Sequence, residues 1–197
     1  MSPLRGAWQV LPIWLFVAAE VWLGLGSNLG DRAATLAAAL GELPRQAIEV
    51  TAVSSLYATA PQELTDQPEF LNCVAHATTN LSPAGTLAAC REMEAGFGRQ
   101  RMRRWGPRTL DIDVLFFNNL SSDDPMLQLP HPRLWRRAFV LAPLLELWPD
   151  LAAPSGVPAR QLLEALSPAQ PVRVVAPAGW WRDNLDDERR RPCRARQ

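Results

Sequence analysis

The chain has 197 residues, 48% hydrophobic and 20% charged, which is enough apolar material for a sizeable core and excludes wholesale disorder. Its 20 basic and 20 acidic residues cancel, so net charge alone points to no polyanionic partner. Every basic residue is arginine, so a lysine nucleophile, a Schiff base and a P-loop lysine are excluded, and any phosphate chemistry falls to arginine.

The first element is an apolar stretch, Ala7 to Ala19, set between Arg5 and Glu20. It is shorter than the roughly 20 residues of a membrane span. A packed extension, an unused upstream start and a signal-peptide core ending at Val17-Ala18-Ala19 are its open readings. Residues 1–20 are therefore set apart as an apolar extension, 21–178 as the domain and 179–197 as a charged tail expected to be disordered.

Val21 to Leu25 reads as a strand stopped by Gly26. Gly30 to Leu43 reads as a helix, with Ser27 or Asn28 as its cap, Asp31 in its first turn and Pro44 at its end. Ile48 to Tyr57 alternates and is β-branched, which predicts one strand; Ala58 to Pro68 is a long loop; Phe70 to Thr78 is another strand. Ser82-Pro83 starts a helix that follows Leu87, Cys90, Met93, Glu94 and Phe97 to Gly98. Thr109 to Phe117 is a strand, and Leu134 to Leu147 is helical in part and broken by Pro143. Arg160 to Leu166 is a short helix and Val172 to Val175 an edge strand. The order β-α-β-β-α-β fits an α+β sandwich related to the ferredoxin-like arrangement, a mostly antiparallel sheet with helices on its faces. Cys73, Cys90 and Cys193 are too scattered for a disulfide scaffold or a zinc site and predict free thiols.

Two features carry chemistry. Asp111 and Asp113 lie two apart in an apolar strand, on one face and about 7 Å from each other. Carboxylates there need partners, and magnesium bridging them to phosphates would serve, as would arginine pairs or a solvated face. Just upstream, Arg99, Arg101, Arg103, Arg104 and Arg108 surround Trp105, a loop suited to phosphate oxygens and a flat heterocycle. A solvated basic loop and an RNA-binding loop are the alternatives, the second opposed by the adjacent aspartates. His131, held between Pro130 and Pro132, is either structural or a donor to phosphate.

These residues also spell out a pattern. Gly26-Ser27-Asn28-Leu29-Gly30-Asp31, Ser54-Ser55-Leu56-Tyr57, Asp66 to Asn72, Arg104-Trp105-Gly106-Pro107-Arg108-Thr109-Leu110-Asp111-Ile112-Asp113, Leu129-Pro130-His131-Pro132 and Arg137 to Leu144 follow one another in order. The chain resembles the 6-hydroxymethyl-7,8-dihydropterin pyrophosphokinases of folate biosynthesis over about Val21 to Leu166. The resemblance implies transfer of the β,γ-diphosphate of ATP to the pterin hydroxymethyl group, giving AMP and the pterin diphosphate. It implies two Mg²⁺ ions at Asp111 and Asp113, with Arg99 and Arg108 holding phosphates during transfer. Glu94, Arg101, Arg104, Trp105, Arg108, Val114, His131 and Arg137 match its ATP positions. Thr59, Ala60, Gln62, Phe70, Asn72, Trp105 and Phe139 match its pterin positions. It implies a cytoplasmic enzyme, a monomer with neither nucleic acid nor membrane as partner. Arg91, Ala60 and Met102 depart from the family pattern. A nucleotide- or RNA-binding module, and a family member that binds without turnover, are the competing readings.

Overall fold

The computed structural model describes residues 18–61, 66–98 and 106–190, the last five of these as backbone only. Strand β1 (Ala19–Ser27) is central. It pairs antiparallel with β4 (Phe70–Thr79) on one side and with β5 (Asp111–Phe117) on the other. β2 (Ile48–Val53) and β3 (Leu56–Thr59) both pair antiparallel with β4, at successive places along it. β6 (Val172–Ala176) adds antiparallel to β3, so the sheet runs β5-β1-β4-β3-β6 with β2 beside β4. The expected antiparallel α+β architecture is what the chain adopts.

The period of two along the strands sends alternate side chains to two cores. Val21, Leu23 and Leu25 of β1 and Cys73, Ala75 and Ala77 of β4 belong to the first. Helices α1 (Arg32–Glu42) and α2 (Pro83–Gly96) cover it through Leu36, Leu40, Cys90 and Met93. Val74 and Leu115 point the other way, into a second core closed by α3 (Ala138–Leu147) and joined by Ala159 of α4 (Ala159–Leu166). α2 starts as its sequence predicts: the Ser82 hydroxyl accepts the Gly85 N–H at 3.1 Å and Pro83 takes the first turn. Cys73 and Cys90 are free and buried, and burial pushes the Cys90 thiol up to about 12. Among the described residues no helix is long and apolar enough to cross a membrane.

Four expectations are corrected. The stretch from Ile48 to Tyr57 is two strands, because at the Ser54-Ser55 bend the Ser54 hydroxyl takes the Val74 N–H at 3.0 Å and Ser55 N–H turns to the Glu146 carboxylate, also at 3.0 Å. α1 is capped by Asp31, whose carboxylate accepts Ala34 N–H at 3.1 Å, and not by Ser27 or Asn28. Pro143 does not break α3; Val140, Leu141, Leu144 and Leu145 are buried around it, and that packing offsets the missing hydrogen bond. Finally, the stretch from Gly179 is not a solvated tail throughout. α5 (Trp180–Arg190) packs on α1, and Leu185 comes so close that a Cβ on Gly41 would lie 3.0 Å from it. Trp180 is buried and donates its indole N–H to the Ser54 carbonyl at 3.1 Å. The apolar Trp180, Trp181 and Leu185 are diluted by seven charged residues between 182 and 190, which hides the helix from a composition reading. Of the apolar extension, Ala19 and Glu20 belong to β1 and residues 1–17 lie outside the described residues.

Candidate active site

The site sits where three strands present one face side by side. Gly26 of β1 lies opposite Asn72 of β4 and Asp111 of β5; Gly24 lies opposite Val74 and Asp113. The central strand therefore carries no side chain between its neighbours at these two rungs. A Cβ on Gly26 would stand 3.0 Å from Asn72 Oδ1. The gap is a cleft of about 870 Å³, counting its open mouth, floored by Gly24 and Gly26. Thr59, Phe70, Asn72 and Phe139 form its walls. Asn72 Nδ2 donates to Thr59 Oγ1 at 2.9 Å, which fixes the amide orientation.

A second, more polar cavity wraps round β5, the edge strand. Leu87, Arg91 and Glu94 of α2 line it with His131 and Arg133. Arg108, Asp111, Asp113 and Arg137 belong to both cavities and form the passage between them. Asp111 and Asp113 thus share a face, as their spacing predicts. Asp111 is ion-paired with Arg108. Asp113 Oδ2 lies 3.4 Å from Arg137 Nη1 and 3.8 Å from His131 Nε2.

Burial pushes the Asp113 carboxyl above the ordinary carboxylate value, and the charge of Asp111 adds to this; His131, Arg137 and Arg108 act against it. Burial pushes His131 below its ordinary value, so its imidazole is neutral near pH 7. Its Nδ1 accepts the Arg133 N–H at 3.3 Å, which leaves the proton on Nε2, facing Asp113. Burial likewise lowers Arg137.

Two carboxylates on one face are an all-oxygen donor set of the kind Mg²⁺ takes. Among the described residues no group of three or more His, Cys, Asp and Glu forms a cage. A cation at Asp111 and Asp113 would complete its shell with phosphate oxygens and water, which is the habit of Mg²⁺ and unlike that of zinc. The residues present fit it.

A family model described as 7,8-dihydro-6-hydroxymethylpterin-pyrophosphokinase matches residues 22–149. The chain belongs to this family. It is 47% identical over 156 residues to the 2-amino-4-hydroxy-6-hydroxymethyldihydropteridine pyrophosphokinase of Methylorubrum extorquens, covering 79% of this chain and 98% of that one. The Pseudomonas aeruginosa protein of the same name is 44% identical over 147 residues, covering 74% and 91%. The mitochondrial folate synthesis bifunctional protein of Pisum sativum is 44% identical over 128 residues, covering 65% of this chain but 25% of that longer one. A crystal structure of HPPK-DHPS in complex with substrates shares the fold, with a TM-score of 0.61 at 13% identity over 77% of this chain and 44% of that one.

Of the positions matched to the pyrophosphokinase pattern, Thr59, Ala60, Phe70, Asn72 and Phe139 come together at the first cavity. Glu94 and His131 come together at the second, and Arg108, Asp111, Asp113 and Arg137 stand between. Gln62, Arg99, Arg101, Arg104 and Trp105 lie outside the described residues. Val114 is buried in the first core, on the opposite face of β5 from the aspartates, so its side chain lines neither cavity. Glu94 does more than line a pocket: it is buried and its Oε1 accepts the Ile112 N–H at 2.8 Å.

Four residues contribute in ways the expectations above do not include. Gly24 falls inside the expected first strand and Gly26 at its end, and two glycines two apart in an apolar strand are also the signature of a groove on one face. Arg133 lines the second cavity and follows the Pro-His-Pro turn directly. Asn28 is a hub: its N–H donates to the Arg108 carbonyl at 3.0 Å, its Oδ1 accepts Arg108 N–H at 2.7 Å, and its Nδ2 donates to Gln67 Oε1 at 3.0 Å. Only the fold brings positions 28, 67 and 108 together.

Proposed function

We propose that this chain transfers the β,γ-diphosphate of ATP to the hydroxymethyl oxygen of 6-hydroxymethyl-7,8-dihydropterin, giving AMP and the pterin diphosphate, a step of folate biosynthesis. The observation that carries the reading is the junction: in a chain of this family, an apolar cleft and a polar cavity meet at Arg108, Asp111, Asp113 and Arg137. A flat heterocycle suits the first space and a polyphosphate the second. The new bond joins the pterin oxygen to the β-phosphorus, and the hydroxyl proton is released to solvent. The bond from that phosphorus to the α,β-bridging oxygen breaks, and AMP leaves with the oxygen.

The cleft walls orient the acceptor. Phe70 and Phe139 offer ring faces to the pterin, and the Asn72–Thr59 pair presents fixed polar edges to it. A wrong heterocycle would leave those groups unpaired. Arg108 and Arg137 draw phosphate oxygens towards the junction, and neutral His131 donates from Nε2. Asp111 and Asp113 are the residues that would hold Mg²⁺, two ions in this reading; bound there, it neutralises triphosphate charge and polarises the reacting phosphorus. Holding the two reactants in line supplies much of the acceleration. Arg99, Arg101, Arg104, Trp105 and Gln62 complete the ATP and pterin sites by their match to the family. The enzyme works as a cytoplasmic monomer in this reading.

The test is AMP production by purified protein given ATP, Mg²⁺ and the reduced hydroxymethylpterin, with wild type and Asp113→Ala side by side and a control lacking pterin. Pterin-dependent AMP that disappears in the variant is the expected result. Folded wild type that binds ATP but forms no AMP overturns the reading in favour of a scaffold.

A further inference from the structure

α3 starts at Ala138, and the first N–H groups of a helix lack partners within it. Its cap residue is Arg137, which makes no side-chain capping bond. The Arg137 guanidinium is committed elsewhere, 3.4 Å from Asp113 and 5.4 Å from the centre of the Phe139 ring. A distant residue supplies part of what is missing. Gln170 Oε1 accepts the Ala138 N–H at 2.9 Å, and its Nε2 donates to the Arg136 carbonyl at 3.2 Å.

These two groups belong to the peptide planes on either side of Arg137. The plane before a residue and the plane after it define its φ and ψ. One side-chain amide thus adds a bond to each plane and, with the backbone bonds of Arg137 itself, holds the residue at φ −126° and ψ 106°. Gln170 is itself anchored, since its N–H donates to the Leu166 carbonyl at 2.9 Å at the end of α4. Two residues later β6 begins and pairs with β3, where Val172 lies opposite Thr59. Gln170 therefore ties the start of α3 to the strand that carries a cleft wall. It lies beyond residues 22–149, outside the stretch matched by the family.

We propose that Gln170 is a positioning residue for diphosphate transfer, acting through Arg137. The proposal rests on the pyrophosphokinase reading above. Removing the amide takes one hydrogen bond from each plane. The first is left only the Arg137 N–H to the Leu134 carbonyl at 3.3 Å, and the second the Arg137 carbonyl accepting Val140 and Leu141 N–H at 3.1 and 3.0 Å. The guanidinium then shifts from its place at the junction of the cavities. Misplacement of this kind costs up to about a hundredfold in rate.

The test is a double-mutant cycle on kcat with Gln170→Met, Arg137→Ala and both together, melting curves being recorded for each. Met keeps the length and bulk of the side chain but neither hydrogen bond. Gln170→Met is expected to lower kcat at least tenfold while remaining folded at the assay temperature. Gln170→Glu, which keeps the acceptor for Ala138 N–H, recovers part of the loss. In the Arg137→Ala background the second substitution changes kcat less than about twofold, because the residue it acts through is gone. Wild-type kcat in Gln170→Met, or losses that multiply in the double variant, overturns the proposal and leaves the pyrophosphokinase reading intact. A wild type without turnover overturns both.

Discussion

The Glu94 carboxylate accepts the backbone N–H of Ile112 at 2.8 Å, and Ile112 is the residue between Asp111 and Asp113. A buried acid on α2 thus pins the peptide from which both aspartates project to the other face. Glu94→Ala strands a buried N–H, and it is expected to cost about 1–3 kcal/mol in urea unfolding. Glu94→Gln keeps an acceptor at the same place and is expected to lose less than half of that. A loss in Gln as large as that in Ala would show that the charge, and not the hydrogen bond, is what Glu94 supplies.

Asp113 gives a prediction with a sign. Burial and Asp111 raise its folded pKa above the ordinary 3.8, so across that window the folded state binds more protons than the unfolded one. Stability from this group then falls as pH rises through the window, and the difference vanishes in more acid solution, where both states are protonated. Metal-free Asp113→Asn is expected to melt above wild type at neutral pH and to match it in acid. Added Mg²⁺ is expected to raise the wild-type melting point and to leave that of the variant unmoved. Its effect on wild type weakens as pH falls, because proton and cation compete for one carboxylate. A variant less stable than wild type in metal-free neutral buffer contradicts the argument.

The antiparallel sheet, the two strand-face aspartates and the helix capped by Ser82 were legible because each rests on a local signal: alternation, spacing or a capping pair. The Ser54-Ser55 bend was not. Ser-Ser between β-branched segments reads as continuous strand, and what breaks it is Glu146, 91 residues away in sequence. Asn28 was missed for the same reason, since its partners Gln67 and Arg108 lie 39 and 80 residues on. The junction of two cavities could be guessed from motif order but not located. It depends on Gly24 and Gly26 leaving room, which is a property of the three strands together.

That same Glu146 controls the chain's single tyrosine. Its carboxylate accepts Ser55 N–H, Ser55 Oγ–H at 2.9 Å and the Tyr57 hydroxyl at 3.0 Å, joining α3 to the bend before β3. Burial, then the bond to Glu146 and its charge, push Tyr57 up to about 12. With one tyrosine, phenolate absorbance reports this residue alone. Its midpoint is expected near that value, falling towards the ordinary 10.0 in Glu146→Gln. The sign follows from the protonated form being favoured on folding: this stabilisation is complete below pH 10.0 and is lost as pH rises through about 12. An unshifted wild-type midpoint would mean that the phenol does not hold this bond in solution.

Trp180 tests whether the segment beyond the family match stabilises the fold without entering the chemistry. It is 5% exposed, packs in the first core and bonds to the Ser54 carbonyl, while the two cavities lie on the other face of β1 and around β5. Trp180→Ala empties a large buried volume and is expected to cost about 3–5 kcal/mol. Trp180→Phe keeps most of the packing and loses the bond to Ser54, a change of about 1 kcal/mol beyond the reduced burial. Ending the chain at Ala178 is expected to destabilise at least as much as Trp180→Ala, because it also removes Leu185 from its seat at Gly41. In all three, kcat and both KM values are expected to stay within about twofold of wild type below the melting transition, since distant sites act nearly independently. A selective rise in the pterin KM would instead mean that α5 reaches the cleft through the Ser54-Ser55 bend, where β3 begins its run to Thr59.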